Sequence, residues 1–343
     1  METPVRGNSD DHAEASSSMK HSTMRPCHFR FRTMRDVRVQ SLVLSVLVLI
    51  ASSSLEAAEE QRFATPDEAV TALVAAAKDG DTNALHAIFG SAARELVSPD
   101  IVQATAERKA FLRHLAEKVV VVRPSETKAV LQIGANGWPF PIPLVKQPDG
   151  KWFFDTLAGK EEILNRRIGR NEIGAIGVCH AYVDAQREYA SQPHGGDDVL
   201  EYAQHLLSTP GKQDGLYWPR QPDGALSPLG PLIAQAHGEG YRRETKIMTD
   251  KPSPYHGYYY KILTRQGRHA PGGRYNYVIN GHMVAGFALV AWPAEWGNSG
   301  VMTFIVSQLG RVYQKNLGPK TATLAPKISS YDPDGSWTQV EDN

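Results

Sequence analysis

The side chains best equipped to act on another molecule are mostly aromatic. Tyr217, Trp218, Tyr255, Tyr258, Tyr259, Tyr260, Trp292 and Trp296, with His256, Arg274 and Glu295, fall in or beside one predicted run of strands. Rings with a polar tip line pockets for peptides and glycans, and they also fill cores. On alternating strands, half of them must point inward. Trp292-Pro-Ala-Glu-Trp296 closes a strand in a loop, where functional side chains concentrate. From this set Trp218, Tyr258, Tyr260, Trp292, Trp296 and Arg274 are the candidate ligand-binding residues. His256 and Glu295 supply an imidazole and a carboxyl, the pair that general acid/base hydrolysis requires, and are weak catalytic candidates.

Other chemistries lack their geometry. His180 and Asp184 are four apart and can share a helix face, but no third ligand follows at useful spacing, so no metal is expected. Asp332-Pro-Asp334-Gly335 begins like a calcium loop without its closing acid and reads as a turn. Gly297-Asn-Ser299-Gly300 has the wrong spacing for a nucleophile elbow and also reads as a turn. Gly272-Gly273 opens a strand and not a helix, so it cannot cradle phosphates on a helix terminus, and no cofactor is expected. Cys179 lies on an apolar helix face, where a thiol serves as a small hydrophobe.

The address of the chain is written before its body. Leu42 to Ala51 holds nine apolar residues of ten, after Arg35 and Arg38 and before a Ser/Ala-rich segment. That pattern is a secretory signal, and the run is half the length of a membrane-spanning helix. Met34 fits as the true start, and cleavage is expected near Ser54 to Ala58, giving a periplasmic or secreted protein with no transmembrane segment. Removal of the leader also removes Cys27, leaving Cys179 alone and excluding a disulfide-built fold. Lys plus Arg and Asp plus Glu number 37 each, and residues 1–58 carry seven of the first and six of the second. A near-neutral body without a basic face gives nucleic acid nothing to bind.

Two regimes follow the leader. Residues 62–158 read as an N-terminal α+β domain of helices followed by strands. Thr65-Pro-Asp-Glu68 caps a first helix that stops at Asp79-Gly80, Thr82 to Phe89 forms a second, and Ile101 to Lys118 a third. On the third, Ala104, Phe111, Leu112 and Leu115 mark the inner face, and Glu107 and Arg108 the wetter one. Short β-rich runs then start at Val119, Ala129, Trp138 and Trp152. Helices on a curved antiparallel sheet resemble the cone of nuclear-transport-factor-2-like domains. Residues 159–343 begin with a long helix whose stripe runs Leu164, Ile168, Asn171, Ala175, Val178, Tyr182, Ala185 and Tyr189, with a break or close packing expected near Gly169. Helices are also expected over Asp197 to Leu207 and Pro228 to His237, and antiparallel strands from Tyr258 onward. Phe287 to Trp292 is apolar on both faces, as a central strand must be. A long helix against such a sheet is similar to the globular half of pseudopilins, though the prepilin motif and stalk are missing.

The runs Glu162-Ile-Leu-Asn-Arg-Arg-Ile-Gly-Arg-Asn-Glu172, Ala181-Tyr-Val-Asp-Ala-Gln-Arg-Glu-Tyr-Ala190, Ser208-Thr-Pro-Gly-Lys-Gln-Asp-Gly-Leu-Tyr-Trp-Pro219 and Gly286-Phe-Ala-Leu-Val-Ala-Trp-Pro-Ala-Glu-Trp-Gly297 closely resemble the bacterial domain-of-unknown-function family 2950, from about Ala64 to Trp337. The resemblance implies an exported bacterial protein and supplies no catalytic residue, cofactor or substrate. The leading expectation is a non-catalytic envelope protein that binds a protein, peptide or glycan through the aromatic surface of the C-terminal domain. The alternatives are a periplasmic hydrolase using Glu295 and His256, and a structural part of a secretion or pilus-like assembly.

Overall fold

Pro at the first helical position and a threonine hydroxyl before it fix where the body of the protein begins its regular structure. In the computed structural model, which describes residues 60–194, 196–220, 226–241 and 253–341, Thr65 accepts the amide of Glu68 and starts α1 (Pro66–Asp79). Gly80, at φ 68°, ends it in the left-handed conformation that glycine adopts without strain. Asp81 caps α2 (Thr82–Phe89) and Asp100 caps α3 (Ile101–Glu117), each carboxylate accepting two backbone amides. A 3-10 turn, Ser91–Leu96, joins the last two helices. The leader, Cys27, Met34 and the cleavage region lie outside the described residues.

The first sheet comprises β1 (Val119–Ser125), β2 (Lys128–Ile133), β3 (Trp138–Pro139), β4 (Leu144–Lys146) and β5 (Trp152–Phe154). Its order is β1-β2-β4-β5, with β3 also on β2, and every pairing is antiparallel. Alternation places Ala129, Leu131 and Ile133 of β2 inward, against Leu73, Ile88, Leu115 and Phe154. Phe63 bridges Trp152 at the sheet's far edge.

From β5 the chain passes directly into α4 (Thr156–Tyr189), 34 residues long and capped by Asp155. It runs unbroken through Gly169, and a methyl group there would touch nothing, so the expected break or close approach does not occur. Tight packing occurs instead at Gly159, where a Cβ would lie 2.7 Å from the Ile142 backbone. The predicted stripe faces inward, with Ala175, Tyr182, Ala185 and Tyr189 buried.

The second sheet takes β6 (Tyr258–Leu263), β11 (Ala288–Pro293), β12 (Met302–Ser307), β13 (Val312–Asn316) and β14 (Thr338–Gln339), in the order β14-β13-β12-β11-β6, again antiparallel. Strand β11 lies between β12 and β6, and all six of its residues are buried, as expected for a run apolar on both faces. Two short ribbons fill the connection: β7 (Arg265–Gln266) with β8 (Tyr275–Asn276), and β9 (Val278–Ile279) with β10 (His282–Met283). Helix α5 (Gly230–Glu239) lies ahead of β6, and α6 (Thr321–Leu324) follows β13. Asp197 to Leu207 is not a helix. Its backbone is satisfied from outside: Tyr202 donates to the Met283 carbonyl, and the buried Gln186 amide exchanges two hydrogen bonds with Ala203. The fold class is α+β, and among the described residues no helix is long and apolar enough to cross a membrane.

Candidate functional site

Three elements that cover the first sheet stop short of closing over it. α2, α3 and the first turns of α4 enclose a cavity of about 950 Å³, within the ~300–1,000 Å³ span of small-molecule sites. Leu85, Phe89, Phe111, Phe140, Ile142 and Ile163 make its wall predominantly apolar. Phe140 stacks on Phe111 at 5.4 Å and meets Phe154 edge-on, so the floor is a contiguous aromatic surface. At the rim Val97 and Ile101 are 57% and 81% exposed and extend the apolar wall to its mouth.

Charge enters this lining from α3 and α4. Arg166, Arg167 and Arg170 project from α4, and Glu107 and Arg108 from α3. Arg167 is only 2% exposed; it donates to Asn298 Oδ1 at 2.6 Å, to the Leu96 carbonyl and to Glu107 at 3.2 Å, and its Nε has no partner among the described residues. Glu107 also accepts from Arg170 at 3.1 Å, so of the pair expected on the wetter side of α3, Arg108 is exposed and Glu107 is drawn into ion pairs with α4. Arg166 bonds Glu162 through Nε at 2.6 Å and sits 5.0 Å from the centre of the Trp138 ring, leaving a buried, unbonded Nη1. Glu117 accepts the Ala135 amide, which with His114 and Arg113 holds its carboxyl below the ordinary carboxylate range.

A smaller cavity of about 520 Å³ adjoins, sharing Val97 and lined by Lys160, Leu164, Glu295, Trp296 and Asn298. Here the Trp292-to-Trp296 loop does reach solvent. Trp296 donates its indole N–H to Asn316, and Glu295 accepts from Asn298 at 3.2 Å. Gly297 to Gly300 is a turn, closed by the Gly297 amide on the Gly300 carbonyl.

The remaining sequence candidates are placed elsewhere. Trp218, Tyr258 and Trp292 are buried in the second core, Tyr258 donating to the Met302 carbonyl. Tyr260 packs against that core; burial pushes its buried, unbonded hydroxyl well above the ordinary phenol range. Arg274 is exposed in the connection before β8. His256 and Glu295 come from neighbouring backbone, since Ala294 N–H donates to the Gly257 carbonyl, but their side chains take different partners. His256, at φ 50°, lies 2.6 Å from Glu239 and stacks on Tyr241, whose hydroxyl donates to Asp100. Cys179 is fully buried, which pushes its thiol up to about 12. Among the described residues, no three metal-ligating side chains meet.

The large cavity was missed because its wall is drawn from segments spread between Thr82 and Arg170. One signal was present: Ile163, Arg166, Arg167 and Arg170 put three guanidinium groups beside an apolar residue on less than three turns of one helix.

No curated protein and no solved structure matches the chain. A family model covers residues 60–340, which include Arg166, Arg167, Arg170 and the whole cavity lining, and by that match the chain belongs to the family described as Protein of unknown function (DUF2950).

Proposed function

We propose that this protein is an exported, non-catalytic envelope module that holds an apolar small molecule in the cavity of its first lobe. The observation that carries the reading is the cavity itself: an aromatic-floored volume of about 950 Å³ with apolar residues at its mouth. Water against such a wall is unfavourable, and a ligand that displaces it recovers that free energy. The resemblance to nuclear-transport-factor-2-like cones draws support from the packing of α1, α2 and α3 against an antiparallel sheet. The pseudopilin-like reading of the second lobe draws support from α4 against β11 and β12, and assigns that lobe a scaffold role.

Two features favour this cavity over the C-terminal aromatic surface and over hydrolysis. Trp218, Tyr258 and Trp292 spend their area on packing. His256 and Glu295 hydrogen-bond to Glu239 and Asn298 instead of facing one cleft. The neutral fluorophore N-phenyl-1-naphthylamine should therefore bind with enhanced emission. Ala104→Trp, which projects an indole from α3 into the cavity, should abolish that binding while the cooperative unfolding transition persists. Equal binding by the variant would place the probe elsewhere and remove the reading.

Export rests on the apolar run Leu42 to Ala51 behind Arg35 and Arg38. Expressed from its own leader, the product should appear in the periplasmic or secreted fraction, shortened to a start between residues 55 and 59. A full-length cytosolic product would sink this part of the proposal.

A further inference from the structure

We propose that the ligand of this cavity is an amphiphile whose single anionic group is bound by Arg166 and Arg170 while its apolar body lies on the phenylalanine floor. The inference rests on the cavity being the binding site and goes on to name the ligand's chemistry. Four arginines but only two glutamates line the cavity. Both carboxylates are already engaged, Glu107 by Arg167 and Arg170, Glu117 by the Ala135 amide and His114. A cationic head would therefore meet carboxylates whose charge is already engaged, beside an excess of arginine.

Donors, in contrast, are in surplus. Arg166 Nη1 and Arg167 Nε are buried without a partner, and Arg108 makes no hydrogen bond or ion pair among the described residues. Buried guanidinium N–H groups left unbonded are costly, and an oxyanion is the acceptor their geometry suits. Arg167 is held on three sides by Asn298, Leu96 and Glu107, so it is a fixed part of the wall. Arg166 and Arg170 have side chains 36% and 59% exposed and can turn toward an entering head group. The Trp138 ring, 5.0 Å from the Arg166 guanidinium, keeps that cation at the cavity wall. Three of the four lining arginines lie on α4 with Glu107 and Arg108 of α3 facing them, and the apolar floor is made by α2, Phe111 and the sheet. A molecule with one charged end and one apolar end matches that division, whereas a neutral hydrocarbon leaves the donors unmet.

Calorimetry with three probes of equal chain length tests this: dodecanoate, 1-dodecanol and dodecyltrimethylammonium, each below its aggregation threshold. Dodecanoate should bind tighter than dodecanol by about ten-fold or more, the amount one charge-assisted hydrogen bond supplies, and the ammonium should bind weakest. Arg166→Gln with Arg170→Gln, both at partly exposed positions, should weaken dodecanoate far more than dodecanol and so bring carboxylate and alcohol close to parity. Dodecyl phosphate in place of dodecanoate separates the two oxyanions; tighter binding of either supports the proposal and names the head group. Equal affinity for acid and alcohol in the unmodified protein would overturn the anion and leave the apolar pocket standing. Failure of all probes would overturn both.

Discussion

Arg167 shows how one buried charge can be tolerated. Its guanidinium is withdrawn from water between α3, the 3-10 turn and the loop after β11, and each of its two terminal nitrogens has an oxygen acceptor. The carboxylate that neutralises it, Glu107, remains partly wet and is shared with Arg170. Taking the guanidinium away leaves the Leu96 carbonyl and the Asn298 amide oxygen facing an apolar replacement, and these losses exceed the released desolvation. Arg167→Met should therefore lower stability by about 3 kcal/mol in denaturant unfolding. Arg170→Met, on an exposed ion pair to the same carboxylate, should cost under about 1 kcal/mol. Similar losses for the two variants would mean that burial gives Arg167 no special weight. None of this could be read from Arg166-Arg167-Ile168-Gly169-Arg170 alone, because Asn298 lies 131 positions away. Tyr258 and Trp292 were misleading for the same reason: an aromatic residue has one appearance in sequence whether it packs or binds.

Elements whose ends are set by local chemistry were legible, and those completed by distant partners were not. α1, α2 and α3 carry Thr65, Asp81 and Asp100 as caps, and each starts where its cap directs. Asp197 to Leu207 has helical composition but gives its backbone to Met283 and Gln186, a choice visible only in three dimensions. The following loop is a case where side chains replace regular structure. Asp214 accepts the Thr209 amide at 2.7 Å and the Thr209 hydroxyl at 2.8 Å, and the Gln213 carbonyl accepts from Tyr189 at the end of α4. Partial burial disfavours the Asp214 charge, but the Thr209 bonds outweigh it and hold the carboxyl below the ordinary carboxylate range. A depressed folded pKa contributes stability above the unfolded value of ~3.9, and that contribution disappears as pH falls through the folded value. Asp214→Asn should thus cost about 1 kcal/mol at neutral pH and nothing in strong acid, where the native carboxyl is protonated too. A cost independent of pH would assign the effect to shape and not charge.

At the scale of the whole molecule, two hydrophobic cores share one helix. Ile163 packs on the first, and Ala175 and Tyr182 belong to the second, with Asn171 between them at zero exposure. That asparagine is the polar interruption of the sequence stripe, and its position explains it. Its amide nitrogen donates to the Ser299 carbonyl at 2.9 Å, and its oxygen accepts from Gln103 of α3 at 2.5 Å, so one side chain ties the first lobe's helix to the second lobe's turn. Nearby, Asp100 caps α3 while accepting from Tyr241 and Gly257, a second tie of the same kind. A continuous 34-residue helix pinned at its middle cannot let one core unfold without exposing the polar junction of the other. Residues 60–341 should consequently unfold in one transition, with tryptophan fluorescence and far-ultraviolet dichroism coincident. Asn171→Ala removes the tie and leaves Gln103 and the Ser299 carbonyl unpaired in a dry site, a loss of about 2–3 kcal/mol. More tellingly, it should resolve two steps in the fluorescence transition, because Trp138 and Trp152 report the first lobe and Trp218, Trp292, Trp296 and Trp337 the second. If the variant still unfolds in a single step, the shared helix alone couples the lobes and the asparagine only adds to its stability.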